Sequence, residues 1–134
     1  MAMTGSYDTI THVNNSSRGR FCYLSYGWVA SSGSVASTDA EAIAAGLPTI
    51  SGAVLRVVTT PDSGGTQPDD DYDVTLLDSF GIDVLGGSGA NRDETNSEHV
   101  NLTTPVVVNS ALRLQVSNAG GSNGGTVTIY YERS

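Results

Sequence analysis

Apolar residues in this chain recur at every second position over short runs, and clusters of Gly, Ser, Asn and Asp separate each run from the next. That is strand periodicity with turn punctuation. The strongest run spans residues 21–29, where Phe21, Tyr23, Ser25, Gly27 and Val29 fall on one face and Cys22, Leu24, Tyr26 and Trp28 on the other. A strand apolar on both faces belongs in the middle of a structure. Gly27 within it predicts a bulge or a close backbone approach. Residues 49–60 alternate as well, with Ile50, Gly52, Val54, Arg56 and Val58 opposite Ser51, Ala53, Leu55 and Val57. Residues 99–108 read as a strand that Pro105 interrupts, hence two short strands or an edge strand. Towards the C-terminus, Leu112, Leu114 and Val116 alternate with Ala111, Arg113 and Gln115, and Val127, Ile129 and Tyr131 alternate with Thr128 and Tyr130. With a glycine-rich loop between them, these two runs predict a terminal hairpin.

The remaining stretches fill out the same picture. Residues 8–13 form a short first strand candidate, preceded by small and polar residues without periodicity. We expect residues 1–13, an N-terminal arm and first strand, to lie against a neighbouring subunit, with residues 14–134 as the folded domain. Thr38 and Glu41 have the spacing of a capping box ahead of Ala42, Ile43, Ala44 and Ala45, with Gly46 and Pro48 as stop signals. Residues 39–45 are thus either the one short helix or an ordered loop. Residues 59–92 form a long acidic loop feeding two short apolar runs: Val74, Leu76 and Leu77, then Ile82, Val84 and Leu85, joined by Asp78, Ser79, Phe80 and Gly81 as a hairpin turn. Gly64–Gly65 and the glycine-rich stretch 86–89 flank it.

The expected fold is all-β: a β-sandwich of about eight strands, jelly-roll-like, with an extended N-terminal arm and at most one short helix. Its expected core holds Cys22, Leu24, Trp28, Val54, Val57, Leu76, Val84, Leu114, Val116 and Ile129. Length and composition agree, since 134 residues with 38% hydrophobic content and 16 glycines suit one thin, turn-rich β domain.

Charge excludes one class of partner. The formal net charge is -8, and the six basic residues, all arginine, are scattered singly among 14 carboxylates. Nucleic acids need a clustered basic patch to displace counterions, so no nucleic-acid partner is expected. A single cysteine, Cys22, permits no internal disulfide and no multi-thiolate zinc site. The first residues carry neither a basic nor an apolar signal segment, and no membrane partner is expected.

Candidate chemistry is sparse. Asp69, Asp71 and Asp73 would share a face if their segment were extended, and could then bind Ca²⁺ through oxygen ligands. An EF-hand would need glycine and glutamate where Val74 and Phe80 stand, so the default is a solvated acidic loop, or one facing arginines of a neighbouring subunit. His12 and His99 lie in strand contexts and no G-x-S-x-G elbow presents a serine, so no catalytic residues, no enzyme activity and no cofactor are expected. The stretch 87–92 begins like a dinucleotide fingerprint but lacks its third glycine and its helix. Tyr23, Tyr26 and Trp28 could make a sugar-stacking platform, as in a carbohydrate-binding module, but Tyr26 and Trp28 share one face and Tyr23 is on the other, which favours core packing.

Five stretches carry a resemblance. Ser63-Gly64-Gly65-Thr66-Gln67-Pro68, Tyr72-Asp73-Val74-Thr75-Leu76, Gly81-Ile82-Asp83-Val84-Leu85, Gly89-Ala90-Asn91-Arg92, and Leu114-Gln115-Val116-Ser117-Asn118-Ala119-Gly120 with the strand after it are similar to a pattern in small virion structural proteins of tailed bacteriophages. The similarity covers about residues 50–134. It implies a non-enzymatic subunit of a phage particle located in the virion: a capsid decoration or cement protein, or else a tail or neck component. The implied partners are further copies of itself, as a trimer, and the major capsid protein or other virion proteins.

Overall fold

The computed structural model describes residues 21–30, 42–44, 49–102 and 104–133. Among them run β1 (Phe21–Val29), β2 (Ala42–Ala44), β3 (Thr49–Pro61), β4 (Asp73–Leu77), β5 (Glu98–Val100), β6 (Val106–Ala111), β7 (Arg113–Ser117) and β8 (Gly124–Arg133), with a 3-10 turn at Gly64–Thr66. The strands make two antiparallel sheets. One has the order β1-β8-β3-β5, with β6 also on β3, and the other has the order β2-β7-β4. The expected arm and first strand at residues 1–13 lie outside the described residues.

Each long strand alternates buried and open positions as its sequence does, and the inward sets of both sheets merge into one apolar cluster. All ten expected core residues are in it. Tyr26, Tyr72, Val74, Leu85, Val100, Val108, Leu112, Ala119, Val127 and Tyr131 join them. The Trp28 and Tyr72 rings meet at 5.6 Å between centroids, tying β1 to the segment just before β4. Trp28 has room because Gly125 stands opposite it in β8. A Cβ at Gly125 would lie 3.0 Å from Trp28 Cζ2 and 2.7 Å from the Thr60 carbonyl oxygen.

The middle of β3 departs from simple alternation. Val54 pairs with Tyr131 and Arg56 with Tyr130, so Leu55 is an extra residue and the register shifts there. The bulge turns Val54, Val57 and Thr59 inward and leaves Arg56 in solvent. Without it, Val54 and Val57 could not share a face. On the other edge of β3, β6 pairs with residues 49–54 and β5 with residues 57–59. The interruption containing Pro105 therefore falls opposite the bulge, and both halves of the expected interrupted strand are present. Gly27, by contrast, lies in an unbroken β1–β8 register, so the bulge expected there is not found, and β1, expected in the middle, stands at the end of its sheet among the described residues with its outer face open at Phe21.

Three expectations are corrected. Residues 42–44 are strand, not helix, because their backbone pairs with Val116, Gln115 and Leu114 of β7. A stretch this short has no helix stability of its own, and an open strand edge captures it. The terminal hairpin does not form. β7 sits between β2 and β4 in one sheet and β8 between β1 and β3 in the other. Residues 117–123 arch between the sheets instead, with Asn118, Gly120 and Ser122 at positive φ. The hairpin at 74–85 shrinks to a turn and a single bridge, Leu77 to Asp83. Beyond it Val84 and Leu85 are both buried but belong to turns and not to a strand, and Gly86 and Gly87 at positive φ coil the chain through further turns.

Candidate functional site

The loops at one end of the sheets form a single hydrogen-bonded assembly. Ten of the 14 carboxylates lie between Asp62 and Glu98, a stretch whose one basic residue is Arg92. Most of those placed in the loops are occupied by backbone N–H groups or neighbouring side chains. Asp73 accepts from the Asn91 N–H at 3.0 Å and from Asn118 Nδ2 at 2.5 Å, joining three loops. Asp93 accepts from the N–H groups of Thr95 and Asn96 at 2.7 and 3.1 Å. These bonds, with those from the Thr95 hydroxyl and the Asn96 amide, hold its carboxyl down at about 2. Tyr72 and Arg92 form a bridge, Gln67 Nε2 donates to Glu94 at 3.0 Å, and the Asp69 N–H donates to the Ala119 carbonyl at 2.8 Å. Arg92 donates twice to the Ala90 carbonyl and lies 3.6 Å from Glu98.

Asp83 does the same work at the outer edge of β4. Its Oδ1 accepts from the Leu76 and Leu85 N–H groups, both at 3.0 Å, and its Oδ2 from the Gly87 N–H at 2.9 Å. A side chain thus stands where the second hairpin strand was expected. Gly89 then passes so close to β4 that a Cβ there would lie 2.1 Å from the Val74 carbonyl oxygen.

The candidate Ca²⁺ ligands do not converge. A turn occupies residues 70–71, Asp71 sits at φ 62°, and the Asp73 carboxylate is engaged by Asn91 and Asn118, so the extended run that would align Asp69, Asp71 and Asp73 is not present. Among the described residues no three His, Cys, Asp or Glu side chains are grouped to hold a metal ion. His99 is exposed and its Nδ1 accepts from Arg56 Nε at 3.4 Å, while His12 lies outside the described residues. No family model, curated protein or solved structure matches this chain.

The aromatic residues divide between inside and outside. Tyr26 and Trp28 are buried at 0% and 2% exposure, so they make no sugar platform with Tyr23. The Tyr26, Trp28, Thr59 and Tyr72 side chains bury polar atoms without a hydrogen-bond partner. Burial pushes the Tyr72 phenol up to about 12, although the Thr59 hydroxyl beside it, short of hydrogen-bond geometry, pulls the other way. Burial and the neighbouring Tyr131 raise Tyr26 as well.

Sequence reasoning missed a groove on the outer face of the larger sheet. Tyr23 pairs with Tyr130 in register, with ring centroids 6.0 Å apart, and the Arg56 guanidinium lies 5.3 Å above the Tyr130 ring. With Phe21 and Leu55 they line an apolar groove of about 240 Å³, floored by Cys22 and Tyr131. Outward alternation of Phe21 and Tyr23 was a visible signal for it. The bulge that brings Leu55 alongside was not.

Proposed function

We propose that this chain is a non-enzymatic structural subunit of a bacteriophage particle, a decoration or cement protein that stabilises the head through contacts with itself and with the major capsid protein. The observation that carries this reading is the use made of the carboxylates. Asp73, Asp83 and Asp93 lie in or beside the stretches that resemble phage virion proteins, and each fixes loop backbone by accepting from its N–H groups. Such loops present a rigid surface, and rigid surfaces lose little ordering entropy on binding. We read the two sheets as the leaves of an eight-stranded sandwich with jelly-roll-like connections, because the chain changes sheet at most of its strand-to-strand connections. A trimer would match the local symmetry of a capsid lattice.

Imaging of intact particles, with mass spectrometry of purified virions, tests the assignment. Density for this chain on the head lattice is the expected result. Density along the tail or neck moves the subunit there, and absence of the chain from purified virions defeats the reading.

A further inference from the structure

The end of the molecule away from the acidic loops carries two features that fit each other. The first is the groove formed by Phe21, Tyr23, Leu55 and Tyr130 on the β1 side of the larger sheet. Phe21 is 68% exposed there. The second is the turn after β4, which projects Phe80 at 84% exposure and Ile82 at 62%. This turn is rigid. Asp78 Oδ1 accepts from the Phe80 and Ile82 N–H groups at 2.9 and 3.1 Å, and the Gly81 N–H donates to the Asp78 carbonyl at 3.0 Å. It stands beside β6, where the Ser79 N–H reaches Ser110 Oγ at 3.4 Å.

We propose that the Phe80 turn of one copy seats in the aromatic groove of the next, joining copies of this chain head to tail. Charge and placement favour a second copy as the occupant. Asp78 brings a carboxylate to the base of the turn, and Arg56, which pairs with no carboxylate among the described residues, overhangs the groove. Residues 99–131, which supply β6, β7 and most of β8, contain no Asp or Glu. The attraction at this contact is local, the Asp78 carboxylate of one copy meeting the Arg56 guanidinium that overhangs the groove of the next. β1 and β6 are at opposite edges of the sheet, so turn and groove are separate patches on one subunit. Such heterologous contacts close into a ring or run on as a filament. An exposed aromatic on a rigid turn entering an apolar pocket is the usual make-up of a binding hot spot. This contact names the self-association surface in the reading above, but it does not depend on the assembly belonging to a virion.

Sedimentation velocity on the purified full chain, with Phe80→Ser and Arg56→Glu variants, tests it. The wild type is expected to form a concentration-dependent oligomer, and Phe80→Ser to weaken association by about tenfold or more. Phe80 is exposed, so unchanged Trp28 emission should show that the variant is folded. With Cys22→Ala in both proteins, because Cys22 floors the groove, mixing Phe80→Cys with Leu55→Cys protein should give more disulfide-linked pairs than either gives alone. A wild-type chain monomeric at millimolar concentration, or an oligomer that survives both substitutions, overturns the proposal. So does saturable binding of a free oligosaccharide to the groove of a monomeric chain. None of these outcomes depends on where the chain sits in a particle.

Discussion

Replacing Asp83 with alanine should be among the most damaging changes available outside the apolar core. Three backbone N–H groups lose their acceptor at once: those of Leu76 and Leu85, which are partly buried, and that of Gly87, which water can reach. Hydrogen bonds to a charged acceptor contribute about 1.5–3 kcal/mol where water is held off and less where it is not. Two partly buried bonds at the low end and one exposed bond give a loss of about 3–4 kcal/mol. Domains of this size are stable by about 5–15 kcal/mol, so the loss is about a fifth or more of the total. With an unfolding entropy of about 0.28 kcal/mol/K for such a chain, the midpoint should fall by roughly 11–14 °C. Asp83→Asn keeps the acceptor at Oδ1, gives up the one at Oδ2 and removes the charge, and should cost about half as much. Urea unfolding followed by Trp28 emission reads both, as a shift in midpoint at constant slope. A loss below about 1 kcal/mol in Asp83→Ala would refute the argument that this side chain replaces a strand.

Two further outcomes follow from the packing. Gly125→Ala should destabilise by about 1–3 kcal/mol, because its Cβ meets a backbone oxygen at 2.7 Å that cannot move aside, and thermal unfolding should show it with Trp28 emission shifted. In alkali, the raised Tyr72 phenol means that the unfolded chain ionises first. Stability is then full below pH 10 and falls as the pH rises from 10 to about 12, which unfolding midpoints at stepped pH would reveal. A flat profile over that window would count against a buried Tyr72.

The sequence by itself determined which face of each strand is buried. Alternation is local: a side chain at position i and one at i+2 point the same way whatever the strand pairs with, so Leu24, Trp28, Leu114, Val116 and Ile129 could be placed inside without a partner being known. It could not say which strands pair. β7 and β8 read as a hairpin because they are consecutive and a turn divides them, yet each is central in its own sheet and needs two partners that lie far off in the chain. Likewise Ala42–Ala44 became strand only because the edge of β7 was open to it. Leu55 decided the inward set of β3, and an extra residue of that kind is defined by the strand opposite, not by its neighbours in sequence. The acidic stretch shows the same limit. Its composition was plain, but whether Asp69, Asp71 and Asp73 gather around an ion or turn apart depends on backbone angles and on Asn91 and Asn118 reaching Asp73. Tertiary structure alone supplied the groove, since it needs Phe21, Leu55 and Tyr130 from three strands that only the folded sheet sets side by side.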